Sequence, residues 1–192
     1  EIYDSEYYNC DKFTGPLEIP DTITKIGKYA FFGCSNFDES LVIPFSVTTI
    51  GEYAFANCFK FTSLVINAPI TIIPEYAFAN CSGFTGSLII PNSVETIAKK
   101  AFYCSSGFNG LLNIPNSVKS IEKYAFFGCS KFTGSLNIPN SLIGIKDFSF
   151  YGCESFSGSL YIPNSVKTIG YNAFYNCYGF NGSLIISKSL MS

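Results

Sequence analysis

Apolar positions in this chain follow two short rhythms nested in one long one. An apolar, variable, apolar triplet occurs eight times, at Leu17-Glu18-Ile19, Leu41-Val42-Ile43, Leu64-Val65-Ile66, Leu88-Ile89-Ile90, Leu112-Asn113-Ile114, Leu136-Asn137-Ile138, Leu160-Tyr161-Ile162 and Leu184-Ile185-Ile186. Period-two alternation turns the outer pair of each triplet to one face and the middle residue to the other, so each predicts a very short strand with its Leu and Ile in a core. Pro follows most of the triplets, removing a backbone donor and ending the strand. A second apolar pair comes next at three-residue spacing, as in Ile23/Ile26, Val47/Ile50, Ile70/Ile73, Val94/Ile97, Val118/Ile121, Leu142/Ile145 and Val166/Ile169. Its β-branched residues predict a bent extended segment or tight turn that forms the return wall of a coil, since a helix would need more residues than are present.

An Ala-Phe pair follows at Ala30-Phe31, Ala54-Phe55, Ala77-Phe78, Ala101-Phe102 and Ala125-Phe126, then Ser149-Phe150 and Ala173-Phe174. A small residue beside a large one, repeated down a stack, fills an interior in interlocking layers. Soon after it stands Gly33, Asn57, Asn80, Gly128, Gly152 or Asn176, residue types that tolerate positive φ, which predicts a left-handed corner just before a Cys.

These rhythms share one period. One Phe per copy falls at Phe13, Phe37, Phe61, Phe84, Phe108, Phe132, Phe156 and Phe180, in steps of 24 residues with a single step of 23. A fixed period of this length marks a solenoid, here a β-rich one of about eight coils with short parallel strands. The short step is accounted for at Phe61-Thr62-Ser63-Leu64, which lacks the Gly of Thr85-Gly86 or Thr133-Gly134, so one loop residue is lost and every core position kept. The repeat predicts a single solenoid domain over residues 1–192. Because the chain opens inside one repeat and stops without a polar terminal unit, it is expected to be a segment of a longer protein, or to pair end to end with other copies.

Composition narrows the function classes. With 47% hydrophobic and 14% charged residues the chain has ample material for one core, and twenty Phe with thirteen Tyr make that core aromatic. A net charge of −2 and the absence of any run of like charges argue against a nucleic-acid partner. No stretch approaches the roughly 18 apolar residues of a membrane helix, and the opening Glu1-Ile2-Tyr3-Asp4 is no signal region. The chain has no His and no Trp, so the commonest general base and metal-ligating nitrogen are missing, although a Lys, Glu or Tyr could still catalyse.

Eight Cys fall one per repeat, at Cys10, Cys34, Cys58, Cys81, Cys104, Cys129, Cys153 and Cys177. Stacked coils place equivalent residues about 4.8 Å apart. That separation suits a disulfide, but side chains pointing the same way give a poor torsion for the bridge, so a ladder of free, buried thiols is expected. In Ala101-Phe102-Tyr103-Cys104-Ser105 the Cys comes one place early while the coil length is unchanged. Ser105 is therefore expected in the usual Cys slot, its hydroxyl bonded to a carbonyl. No Cys-x-x-Cys pair exists, so no metal site is expected.

The runs Ile114-Pro-Asn-Ser-Val-Lys-Ser-Ile-Glu-Lys-Tyr-Ala-Phe-Phe-Gly-Cys129 and Ile162-Pro-Asn-Ser-Val-Lys-Thr-Ile-Gly-Tyr-Asn-Ala-Phe-Tyr-Asn-Cys177 resemble the BspA-like leucine-rich-repeat family, whose unit carries Ile-Pro-x-Ser-Val-x-x-Ile-Gly-x-x-Ala-Phe-x-x-Cys. The likeness spans residues 6 to 190. Departures are Phe in place of the usual Leu three residues after Cys, and the extra Gly that lengthens most units from 23 to 24 residues. The resemblance implies a right-handed solenoid arc and a surface or secreted protein of bacteria or parasitic protists. It further implies adhesion to host or bacterial surface or matrix proteins, with no cofactor and no catalytic residues to carry over.

A partner of such a scaffold meets the outward residues of the strand wall, here Glu18, Val42, Val65, Ile89, Asn113, Asn137, Tyr161 and Ile185. Val42, Val65 and Ile89 form an apolar cluster, and Tyr161 with Ile185 a second beyond two Asn. Contiguous exposed apolar area often marks an interface, yet β-branched residues also simply suit a strand wall, and the sequence leaves both readings open. A further row, Tyr29, Tyr53, Tyr76 and Tyr124, reads as packing over a corner or as a second surface. Two sequons, Asn80-Cys81-Ser82 and Asn181-Gly182-Ser183, are candidate glycosylation sites. A rival to the recognition scaffold is a structural spacer or self-associating array with no specific ligand.

Overall fold

The computed structural model describes residues 1–190 and places equivalent residues of successive coils side by side. Leu41 pairs with Leu64 and Val42 with Val65, Leu88 with Leu112, and Thr96 with Ser120, always in parallel and always between matching repeat positions. The chain is thus a parallel β-solenoid of coils about twenty-four residues long, and its strands are two or four residues long. The outer residues of the triplets fill the interior: Leu41, Ile43 and Leu88 are fully buried.

Pairing is distributed differently from the sequence expectation. On the triplet wall the strands form separate two-stranded ribbons, Ser40–Ile43 with Ser63–Ile66, Leu88–Ile89 with Leu112–Asn113, and Leu160–Tyr161 with Leu184–Ile185. Asn137 makes only an isolated bridge to Tyr161, and Leu17-Glu18-Ile19 forms no strand. The return wall, expected to be a bent extended segment or a tight turn, is extended and carries the longer sheet: Ile72–Ile73, Thr96–Ile97, Ser120–Ile121, Gly144–Ile145 and Thr168–Ile169 run as five adjacent parallel strands. Pro44, Pro91, Pro115 and Pro163 stop the triplet strands after their last apolar residue, whereas the β-branched return segments carry no Pro inside them.

The corner before each Cys is left-handed as the Gly/Asn pattern predicts, with φ of 72° at Gly33, 62° at Asn57, 57° at Asn80, 69° at Gly128 and Gly152 and 61° at Asn176. Cys104 takes this place in its own coil, at φ 55°. A second left-handed position, unforeseen, lies one residue before each Ala, or before Ser149 in its place: Tyr29, Tyr53, Tyr76, Lys100, Tyr124, Phe148 and Asn172 have φ between 51° and 61°. Bulky residues avoid this region at a cost of about 1 kcal/mol. Bonds between coils hold them there: Tyr53 N–H donates to Glu75 O at 3.1 Å, Phe55 N–H to Ala77 O at 2.9 Å and Asn57 N–H to Ala79 O at 2.9 Å, and most coils repeat the set.

Two columns of rings run through the core. Phe31, Phe55, Phe78, Phe102, Phe126, Phe150 and Phe174 stack with centroids 5.3–5.6 Å apart and planes within 12° of parallel. Phe61, Phe84 and Phe108 lie above one another at 6.2 and 5.2 Å within the second column. The Ala beside each Phe of the first column leaves room for the ring of the next coil.

All eight Cys are free; Cys34, Cys58, Cys81, Cys129 and Cys153 are buried and Cys10, Cys104 and Cys177 half-buried. Each ladder thiol donates to a carbonyl of the preceding coil: Cys34 Sγ to Tyr7 O at 2.8 Å, Cys58 to Phe31 O at 3.1 Å, Cys81 to Phe55 O at 3.0 Å, Cys129 to Phe102 O at 3.1 Å, Cys153 to Phe126 O at 3.2 Å and Cys177 to Phe150 O at 3.1 Å. Ser105 fills the gap, donating to Phe78 O. Burial pushes the Cys81 thiol up to about 12 and that of Cys34 up to about 11.

Candidate recognition surface

In the inner coils the triplet wall positions one side chain toward solvent because its two neighbours are committed to the core; at the ends Leu17 and Ile19 are half-buried and Leu184 and Ile186 exposed. Glu18, Val42, Val65, Ile89, Asn113, Asn137, Tyr161 and Ile185 are all exposed. Val42 is 40% exposed, Val65 42% and Ile89 63%, while Leu41 and Ile43 beside Val42 are at 0%. Val42 and Val65 face the same side of one ribbon, and Ile89 stands opposite Asn113 on the next. Tyr161 and Ile185 pair likewise, which brings the second apolar cluster together. No charged residue occupies the outward row between Glu18 and the final Ile185.

The wall is not uniformly closed. Leu88 N–H donates to Leu111 O at 2.9 Å and Ile90 N–H to Asn113 O at 3.1 Å, but no backbone hydrogen bond joins Leu112–Ile114 to Leu136–Ile138, nor Leu64–Ile66 to Leu88–Ile90. Beside Asn137 the wall is also hollowed. Two adjoining clefts open there, one of about 440 Å³ between Ile89, Leu111, Asn113 and Asn137, and one of about 340 Å³ between Asn116, Asn137, Asn140 and Tyr161. Sequence reasoning placed Asn113 and Asn137 on the surface and had no means of seeing the clefts, which come from spacing between coils.

The tyrosine row behaves as packing. Tyr29, Tyr53 and Tyr76 are half-buried and stack face to face, at 4.7 and 4.3 Å between centroids. Burial, reinforced by Tyr76, pushes the Tyr53 phenol up to about 12. Lys100 interrupts the row, its Nζ 4.9 Å from the centroid of Tyr76, 5.1 Å from Tyr103 and 5.4 Å from Tyr124. A hydrogen bond to Tyr76 raises the Lys100 pKa. A parallel row, Tyr103, Phe127, Tyr151 and Tyr175, stacks at 5.0, 4.6 and 5.2 Å and was not singled out from sequence. Its signal was the aromatic residue directly after Phe102, Phe126, Phe150 and Phe174. Within both rows neighbouring rings cover most of the ring faces, Lys100 standing in for one ring of the first and Tyr175 ending the second half exposed.

Among the described residues four ion pairs tie adjacent coils on the exposed side: Lys28 with Glu52, Lys99 with Glu75, Lys119 with Glu95 and Lys123 with Asp147. Solvent screens such pairs, and they contribute little to stability. Among the described residues no group of three or more Cys, Asp or Glu side chains could hold a metal ion, and no helix is long and apolar enough to cross a membrane. At the sequons, the Asn80 amide donates to Asn57 Oδ1 at 2.8 Å from a half-buried corner, and Asn181 Oδ1 accepts from Gly158 N–H at 2.9 Å on an exposed one.

Comparison with known proteins gives a consistent picture. The family model of the BspA type leucine rich repeat region matches residues 1–133 and 108–192, in six copies. The crystal structure of a T. pallidum leucine rich repeat protein is similar, at 26% identity and a TM-score of 0.73, over 83% of this chain and 72% of that one. A leucine rich cell surface protein from Faecalibacterium prausnitzii shares the fold at 21% identity and a TM-score of 0.57, over 97% of this chain and 64% of the other. A leucine-rich repeat protein from Eubacterium ventriosum does so at 19% identity and a TM-score of 0.52, over 94% and 44%. The chain thus spans less than two thirds of the length of the latter two. Among curated proteins no sequence matches. The in-register coils, the paired Ala and Phe columns and the thiol ladder are the physical content of that repeat, and the chain belongs to the BspA-type leucine-rich repeat family.

Proposed function

We propose that this solenoid is a non-enzymatic recognition scaffold at a cell surface or in secreted form, and that its triplet wall binds a protein partner in adhesion to host or bacterial surface or matrix proteins. The observation that carries the reading is the cluster of Val42, Val65 and Ile89, three apolar side chains on adjacent coils that face water with no protein group over them. Leaving such area wet is unfavourable, and a partner that covers it gains about 25 cal/mol for each Å² buried. The cell-surface description of the F. prausnitzii protein of the same fold supports the location. Tyr161 and Ile185 extend the contact toward the other end of the wall.

The test is a Val42→Ser, Val65→Ser, Ile89→Ser variant, compared with the native chain for binding to immobilised matrix proteins and to cells. Loss of binding with unchanged circular dichroism supports the reading. Native binding by the variant removes this wall from consideration, and a native chain that associates only with itself would indicate the spacer or array instead.

A further inference from the structure

The triplet wall changes character along its length: the aliphatic row ends at Ile89, one coil before the unbonded junction between Asn113 and Asn137. From Val42 to Ile89 the outward residues are aliphatic; at Asn113 and Asn137 they become carboxamides, and at Tyr161 a phenol. The carboxamides of Asn113, Asn137 and Asn140 and the hydroxyl of Ser135 make no hydrogen bond within the protein. Ser87 Oγ accepts from Leu111 N–H at 2.9 Å and Ser159 Oγ from Ser183 N–H at 3.0 Å, which leaves each hydroxyl proton free to donate outward. The backbone amides of Leu112 and Ile114 make no backbone hydrogen bond to the neighbouring coil either. Unpaired polar groups lining a cleft are met by water or by a ligand that replaces it.

From these groups we propose that the two clefts form one groove for a neutral, extended oligosaccharide lying along the solenoid axis. Each coil presents one amide or hydroxyl set, and coils repeat about every 4.8 Å. That interval is close to the advance of one pyranose unit in an extended β-linked glycan. An extended peptide is a poorer fit, since its same-face residues recur about every 6.6 Å and drift out of register with the coils. Carboxamides and hydroxyls supply donors and acceptors side by side, as vicinal sugar hydroxyls require. No Lys, Arg, Asp or Glu lines either cleft, which matches an uncharged ligand. Tyr161, 48% exposed and with no other ring stacked on it among the described residues, offers an open face to a sugar ring at one end of the groove. The proposal shares with the preceding section the view that this wall recognises something, and Ile89 and Tyr161 serve both readings, but its hydrogen-bonding groups, Asn113, Asn137, Asn140 and Ser135, belong to this one alone.

The probes are β-1,4-linked glucose and N-acetylglucosamine oligomers, from disaccharide to hexasaccharide, titrated calorimetrically into the native chain beside an uncharged extended peptide and an anionic glycan fragment. Affinity should rise with chain length until the four coils from Ile89 to Tyr161 are spanned, then level off, and the anionic fragment should bind no better than the neutral ones. Asn113→Ala with Asn137→Ala should weaken oligosaccharide binding about tenfold or more, each lost hydrogen bond costing about fivefold. Val42→Ser with Val65→Ser should leave sugar binding intact while abolishing capture of a protein partner, so the two readings fail separately. Unfolding midpoints within error of native exclude a folding defect, since both Asn point away from the core. The proposal is overturned if no neutral oligosaccharide binds at millimolar concentration, if the Asn variant binds as well as native, or if only the peptide depends on the two Asn.

Discussion

The hydroxyl of Ser105 donates to the carbonyl oxygen of Phe78 at 2.5 Å, in the place where Cys81 Sγ donates to Phe55 O at 3.0 Å and Cys129 Sγ to Phe102 O at 3.1 Å. The same hydroxyl accepts from Cys81 N–H at 3.2 Å, so it satisfies two buried backbone groups at once. The displaced Cys104 moves to the left-handed corner, half-buried. The slot therefore selects for a small donor to a carbonyl rather than for sulfur.

Removing that donor leaves two buried groups unpaired. Ser105→Ala is expected to lower stability by about 1–3 kcal/mol, and Ser105→Cys to recover most of the loss by rejoining the thiol ladder. Urea unfolding followed by circular dichroism compares the three chains; equal midpoints for Ala and native would show that the ladder bonds contribute nothing.

The opposite sign is expected at Ser149. It occupies the slot that Ala holds in neighbouring coils, is fully buried, and its hydroxyl has no partner. Ser149→Ala should stabilise the protein by about 1 kcal/mol, because a desolvated, unbonded hydroxyl is removed and no contact is lost. A rise in the urea midpoint checks this.

Lys100 stands among the rings of Tyr76, Tyr103 and Tyr124. Lys100→Met keeps the aliphatic stem and removes the cation, and should cost about 0.5–1 kcal/mol. Lys100→Tyr should be tolerated better, since the same left-handed position accepts Tyr53 and Tyr76 and the new ring would continue their stack. Near-ultraviolet circular dichroism reports ring stacking and thermal unfolding reports stability; a Met variant as stable as native would remove the cation–π contribution.

Alkaline pH should loosen the core. Burial raises the Cys81 thiol from 9.0 to about 12 and Cys34 and Cys177 to about 11, with Cys58 and Cys153 raised as well. Below pH 9 both folded and unfolded chains keep these protons, and the thiols leave stability independent of pH. Above it the unfolded chain releases them first, so stability falls from pH 9 toward 12. Replacing Cys58, Cys81 and Cys153 by Ser should flatten that fall, as a hydroxyl does not ionise in this range; an unchanged slope would assign the loss to other groups. In the native state a thiol reagent near pH 8 should label half-buried Cys10 and Cys104 well before Cys58, Cys81 or Cys153.

Much of this architecture was legible because core residues in a solenoid are dictated locally. A Leu-x-Ile triplet ended by Pro, an Ala-Phe pair and a Gly or Asn corner each state their own burial or φ, and the period states that equivalent positions meet. Ser105 was legible for the same reason: Ala101 and Phe108 stand as far apart as Ala125 and Phe132, so the early Cys104 had to leave its slot to a neighbour. The left-handed Tyr29, Tyr53 and Tyr76 were not, because the backbone preference of Tyr points the other way and only bonds to the next coil overrule it. Asn172 at the equivalent position was the one local hint.

The amino-acid sequence by itself determined the repeat, the residues of both aromatic columns, the free thiols and the outward row from Glu18 to Ile185, since each follows from side-chain size, polarity and a fixed period. The tertiary structure decided which wall carries the continuous sheet, where the triplet wall breaks into separate two-stranded ribbons, and how Lys100 is gathered among three rings. These depend on distances between coils, which are set by packing summed along the stack, and no single repeat encodes that sum.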